Sequence, residues 1–263
     1  MICTLCPRSC NVERAQEEGR GVCGAGMLPK IARAALHFDE EPVISANGGS
    51  GAVFFSGCTL GCKFCQNEPI SHGGHGKEIS SDRLREIFLS LIDEGVTNIN
   101  LVTGTHFLPS ILPALEPKLP VPVVWNCGGY EKPETIERLR GKVDIFLPDL
   151  KYADNALAKG LSAAPDYFQV ATAAIREMFR QTGPYRMEGG QLRSGVLIRH
   201  LLLPGELENT RRCIDWVAET FRPGDVLFSL MSQYTPQPGA EGNLARQVTK
   251  AEYRAAVQYM ENC

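Results

Sequence analysis

No stretch of this sequence approaches the run of about 18 apolar residues that a membrane helix requires. The opening MICTLCPRSC has no apolar core behind a basic start of the kind that marks a secretory leader. Both absences argue against a membrane partner and predict a cytoplasmic protein. An excess of basic charge is missing too. The 27 Lys and Arg stand against 30 Asp and Glu, a formal net charge of -3 with a pI near 6.0, so the chain lacks the electrostatic footprint of a nucleic-acid binder. No repeat of fixed period runs through it, although a β-α unit recurs. What is present suffices to fold: 263 residues with 43% hydrophobic and 22% charged content bury the core of one large domain, or of one domain with an appendage.

Cysteine is in excess, with ten residues. A disulfide framework suits short secreted chains, whereas seven of these ten fall in two tight clusters, and clusters point to metal.

Two regions are expected. Residues 1–50 form a cysteine-rich segment and connector. The first 23 residues show no helical or strand periodicity, and 24–50 carry the acidic run Asp39, Glu40, Glu41 before Pro42 and end in the glycine-rich Asn47-Gly48-Gly49-Ser50-Gly51. In residues 51–263 short apolar, β-branched runs alternate with helical patterns, the signature of repeated β-α units. Strands are predicted at 52–56, 98–103, 122–126, 143–147, 196–203 and 226–231. Helices are predicted around Leu84, Ile87, Phe88, Leu91 and Ile92, ending at Glu94-Gly95, and at 108–115, 133–140, 167–181, 207–220 and 250–260. The polar stretches 184–194 and 233–247 read as surface loops. The fold class is α/β, a partial (β/α)6 barrel of parallel strands, and in such folds ligands sit at the carboxyl ends of the strands.

At the end of the first of these strands stands Gly57-Cys58-Thr59-Leu60-Gly61-Cys62-Lys63-Phe64-Cys65. Three thiolates on one loop can converge on one cluster, and an ordinary four-iron cluster takes four, so three leave one iron open. The competing reading is a zinc knuckle that adds His72 or His75.

This CxxxCxxC with an aromatic before its last cysteine resembles the radical S-adenosylmethionine superfamily. The resemblance implies a 4Fe-4S cluster on Cys58, Cys62 and Cys65, S-adenosylmethionine as cofactor, and reductive cleavage to methionine and a 5'-deoxyadenosyl radical that abstracts hydrogen from a substrate. Further strand ends resemble the activating enzymes of glycyl radical enzymes, above all uncharacterised homologues of the pyruvate formate-lyase activating enzyme: Trp125-Asn126-Cys127-Gly128, Asp149-Leu150-Lys151, and Ile198-Arg199 ahead of Pro204-Gly205. By that likeness Asp149 faces the ribose or sulfonium, while Lys151 and Arg199 pair with the cofactor carboxylate. Phe64 and Asn126 join the cofactor-binding set, with Thr103 and Gly104 standing where the superfamily often has glycine-glycine-glutamate. Where the activating enzymes have a histidine after the last strand, this chain has Ser232, Gln233 and Tyr234. Implied partners are reduced flavodoxin or ferredoxin as electron donor and a glycyl radical enzyme or peptide as substrate. A peptide- or small-molecule-modifying enzyme and a zinc-stabilised binding module without redox chemistry are the alternatives.

Cys3, Cys6, Cys10 and Cys23, with Gly21 and Gly24 beside the last, form a closed set of four thiolates. Its expected occupant is a structural zinc or a second iron-sulfur cluster. Cys213 is expected to be a buried small hydrophobe; Cys127, His106 and His200 lie nearer the predicted cofactor pocket.

Overall fold

The computed structural model describes residues 2–14, 21–45 and 48–263; Met1, residues 15–20 of the cysteine-rich segment and Asn47 of the glycine-rich connector lie outside the described residues. In chain order the strands are β1 (Lys30–His37), β2 (Ser50–Phe55), β3 (Lys77–Glu78), β4 (Ile99–Val102), β5 (Val123–Cys127), β6 (Ile145–Pro148), β7 (Arg186–Glu188), β8 (Gln191–Leu201) and β9 (Leu227–Met231). The helices are α1 (Pro42–Ser45), α2 (Glu68–Ser71), α3 (Ser81–Asp93), α4 (Leu108–Ala114), α5 (Pro133–Glu137), α6 (Asn155–Ser162), α7 (Tyr167–Thr182), α8 (Leu207–Thr220) and α9 (Lys250–Glu261).

The six strands β2, β4, β5, β6, β8 and β9 are parallel neighbours in that order, each of the expected runs supplying one. Strands β4, β5 and β6 are almost wholly buried, as a sheet covered on both faces requires. Among the described residues no pairing joins β9 back to the other edge, so the barrel is partial. The helices cover the outside through amphipathic faces. Leu84, Phe88 and Leu91 of α3 are buried, and Ser80 opens that helix by accepting the Arg83 amide. The capping box of Thr249 and Glu252 opens α9 in the same way.

Several segments differ from the sequence expectation, among them the short helices α1 and α2, which it did not include. Within the connector, β1 pairs antiparallel with β2 and carries β3 on its outer edge, so 30–37 belong to the sheet. Its composition, KIARAALH, is helix-friendly, but the ladder along β2 outweighs that preference. The expected loop at 184–194 is a β-hairpin, with β7 paired to the start of β8 across Gly189-Gly190, both at positive φ. Helix α6 was absent from the expected set; Asp154 caps it, its carboxylate accepting the amides of Ala156 and Leu157.

Candidate functional site

A cavity of about 600 Å³ opens at the carboxyl ends of the parallel strands. Cys58, Cys62, Phe64 and Cys65 line one side; Thr103, Asn126, Asp149, Lys151 and Arg199 line the others. The chain therefore brings the predicted residues together, with one exception. Gly104 is not among the lining residues: a side chain there would meet Ile111 and the Trp125 ring, so it serves close packing beneath Thr103. Thr103 itself holds φ +59, a left-handed conformation that a β-branched residue rarely adopts, with its amide on the Asn126 carbonyl.

The cysteine loop turns through Gly57 (φ +84) and Gly61 (φ +70), and each sulfur meets a donor. Leu60 N–H points at Cys58 Sγ (3.3 Å), Ser162 Oγ at Cys62 Sγ (3.0 Å) and Ser71 Oγ at Cys65 Sγ (3.2 Å). Donors aimed at sulfur suit thiolates and tune a cluster held by them. Burial raises Cys58 to about 11 and also raises Cys62, where Lys151 and the Ser162 hydroxyl pull the other way. These thiols accordingly give up protons when they take a metal. Among the described residues no three His, Cys, Asp or Glu side chains already form a group able to hold a single metal ion. Phe64 packs against Tyr152 and Tyr234, so the aromatic before the last cysteine closes the loop's inner side.

Opposite the loop runs one ionic network. Lys151 Nζ bonds Asp149 (2.5 Å), and Arg199 spends its Nε on Asp149 (3.0 Å), one terminal nitrogen on Asn126 (2.7 Å) and the other on Glu40 (2.9 Å). Glu40 also accepts from Asn126 (2.9 Å) and Asn100 (3.0 Å). Burial works to neutralise Asp149, Lys151 and Arg199, yet Arg199 and Lys151 hold Asp149 below the ordinary carboxylate value, while Asp149, with Glu40 for Arg199 and Cys62 for Lys151, raises both cations. Tyr167 stitches its base, accepting the Lys151 amide (3.0 Å) and reaching the Gly128 and Asp149 carbonyls (2.8 Å each).

Glu40 is the residue that sequence reasoning missed. It stood in an acidic run assigned to a connector, and only the pairing of β1 with β2 carries that run to the cavity. Gln233 also lines the cavity, and its carbonyl accepts from Gln66 (3.1 Å). Cys127 lines the cavity too, buried and with its thiol raised well above the ordinary value by that burial. His106 and His200 are buried away from it, and burial lowers both to about 4.

With this geometry in place, the profile of the radical SAM superfamily matches residues 52–217. The chain belongs to that superfamily. Membership implies a four-iron, four-sulfur cluster and S-adenosylmethionine, and the donor set fits: three thiols on one loop, each with a hydrogen-bond donor, face a cavity that carries paired charges for a zwitterion. An uncharacterised protein of Methanocaldococcus jannaschii is 29% identical over 275 residues, covering 98% of this chain and 74% of that protein. Among solved structures, Streptococcus suis SuiB bound to precursor peptide SuiA is similar at TM-score 0.53 and 16% identity, over 78% of this chain and 43% of SuiB. Methylornithine synthase (PylB) gives 0.53 and 16%, over 81% and 62%. The radical SAM methyltransferase TsrM from Kitasatospora setae gives 0.51 and 15%, over 78% and 44%. At these identities the likeness is one of fold, and this radical SAM chain spans less than two thirds of each of the three structures. Among the described residues no helix is long and apolar enough to cross a membrane.

Proposed function

We propose that this chain cleaves S-adenosylmethionine reductively and uses the radical to remove hydrogen from a polypeptide, with a backbone glycine of a partner enzyme as target. The reading is carried by one observation: three donor-supported thiols face the Lys151–Asp149–Arg199 network across a single cavity. When bound, the cluster supplies one electron to the sulfonium, giving methionine and a 5'-deoxyadenosyl radical.

The chain's own residues do the rest. Cys58, Cys62 and Cys65 would hold the cluster, three thiolates where an ordinary four-iron cluster takes four. Lys151 and Arg199 present donors to the cofactor's carboxylate, each already fixed by Asp149 so that little side-chain freedom is lost on binding. Asn126, held between Arg199 and Glu40, sets the guanidinium plane. Phe64, wedged against two tyrosines, keeps water from the loop's inner side. The unclosed barrel edge gives a polypeptide access, and the glycine target rests on the strand-end likeness to activating enzymes. Reduced flavodoxin or ferredoxin in the cytoplasm is the electron source in this reading.

Anaerobic protein with dithionite and S-adenosylmethionine should release 5'-deoxyadenosine, and Cys62→Ala should stay folded and release none. Survival of cleavage in that variant refutes the ligand assignment. A glycyl radical signal on a partner polypeptide supports the substrate, and turnover of a small molecule with no radical on protein refutes it.

A further inference from the structure

The N-terminal cysteines lie against the cluster loop, not apart from it. Tight backbone turns fold this segment on itself: the Cys3 amide bonds the Val12 carbonyl (2.9 Å), the Asn11 amide the Cys3 carbonyl (3.2 Å) and the Ser9 amide the Cys6 carbonyl (3.0 Å). The Val22 amide points at Cys10 Sγ (3.5 Å), and a side chain at Gly21 would touch that sulfur (3.4 Å), so the backbone wraps closely around it.

Arg14 reaches the same set of sulfurs. It is 5% exposed, yet among the described residues its guanidinium has no carboxylate partner: it donates to the carbonyls of His106 and Gly26 and to Cys23 Sγ (3.6 Å). A tetrathiolate around zinc or a four-iron cluster would carry net negative charge beside that nitrogen.

Three ties then run from this segment to residues 56–62. Arg8, between Cys6 and Cys10, stacks on Tyr130 and donates to the carbonyls of Thr59 (2.8 Å) and Leu60 (2.9 Å), both inside the loop between Cys58 and Cys62. It also donates to Ser162 and Ala163, and Ser162 is the donor to Cys62 Sγ. The Cys23 carbonyl lies where a side chain on Gly57 would have to go (2.5 Å). Arg14 holds the His106 carbonyl while the His106 ring bonds the Ser56 carbonyl (2.7 Å).

We infer that Cys3, Cys6, Cys10 and Cys23 bind a second, tetrathiolate metal centre whose folding sets Arg8 and Cys23 as a clamp on the Cys58–Cys65 loop. The metal site stands on its own residues; the clamp's purpose rests on the radical SAM reading of the loop. Because no three of these side chains already form a group for a single metal ion, the set has to tighten on loading; zinc and a four-iron cluster share the thiolate chemistry, and metal analysis separates them.

The test uses the full chain carrying Cys58→Ala, Cys62→Ala and Cys65→Ala, purified anaerobically, so that any metal retained belongs to the N-terminal set. About one zinc, or about four irons with matching sulfide, per chain is expected, and a further Cys10→Ser should abolish it. Absence of stoichiometric metal in the folded triple variant, or its retention after Cys10→Ser, overturns the site. For the clamp, Arg8→Ala in the otherwise native chain should keep the N-terminal metal while amide exchange across 56–62 quickens about tenfold. Unchanged exchange overturns the clamp. Failure of cofactor cleavage with the N-terminal metal intact counts against the enzymatic reading alone.

Discussion

Glu131 is 2% exposed, and burial raises its carboxyl to about 8 from an ordinary value of 4.5, against the pull of the Thr105 hydroxyl (2.7 Å). Its other oxygen is buried without a partner. Because the folded value lies above the unfolded one, this group's stabilising contribution is present below 4.5 and is lost as pH rises toward 8. At pH 7 the unfolded chain holds an ionised Glu131 and the folded chain a protonated one. The proton uptake across that interval costs up to about 3 kcal/mol. Glu131→Gln removes the cost: its carbonyl still accepts from Thr105, and its amide takes the place of an O–H equally lacking a partner. After relaxation about 2 kcal/mol should remain, or about 5 °C in Tm for a domain of this size. Anaerobic thermal unfolding from pH 5 to 8 should show the variant's advantage growing with pH and closing toward 4.5. A variant less stable than the native chain at pH 7.5, or an advantage independent of pH, refutes the reasoning.

His200 should act with the opposite sign. Burial lowers it to about 4, its ring held between the Leu150 carbonyl (2.5 Å) and Thr210 (2.9 Å), so stability is intact above 6.5 and lost as pH falls toward 4. The loss is up to about 3 kcal/mol, and His200→Gln should flatten that acid limb in the same melts. Glu40→Gln places an amide among partners that all donate, Arg199, Asn126 and Asn100, so titration calorimetry should find S-adenosylmethionine bound about tenfold more weakly, a change of about 1.4 kcal/mol. Unchanged affinity excludes Arg199 as a cofactor contact. Ser162→Ala removes the donor to Cys62 Sγ and one of the two partners of the buried Tyr152 hydroxyl (2.6 Å), so the cluster potential followed by electron paramagnetic resonance should fall and stability should drop by about 1 kcal/mol.

The parallel strands and the cysteine loop were legible because both are local signals: apolar β-branched runs of strand length, and thiols at fixed spacing after one of them. The strand-end rule ranked the polar residues at one rim of the sheet, but Asn126, Asp149, Lys151 and Arg199, the last inside its strand, were singled out by the likeness to activating enzymes; all four line the cavity. Glu40 was not, because its place depends on an antiparallel edge strand of helix-friendly composition pairing across the chain. The hairpin of β7 and β8 carried a usable signal, Gly189-Gly190 between alternating residues, hidden by the polarity around it. The reach of Arg8 and Arg14 into carbonyls of the barrel leaves no periodic trace, since long side chains bonding backbone need no matching residue type.

Electron paramagnetic resonance of the dithionite-reduced chain, before and after S-adenosylmethionine, tests the open iron most directly. The cofactor should change the spectrum of the cluster held by Cys58, Cys62 and Cys65, and Cys62→Ala should abolish both that cluster's signal and its response. A reduced-cluster spectrum indifferent to the cofactor, or a response that persists without Cys62, contradicts a cluster gripped by three thiolates with its fourth corner free.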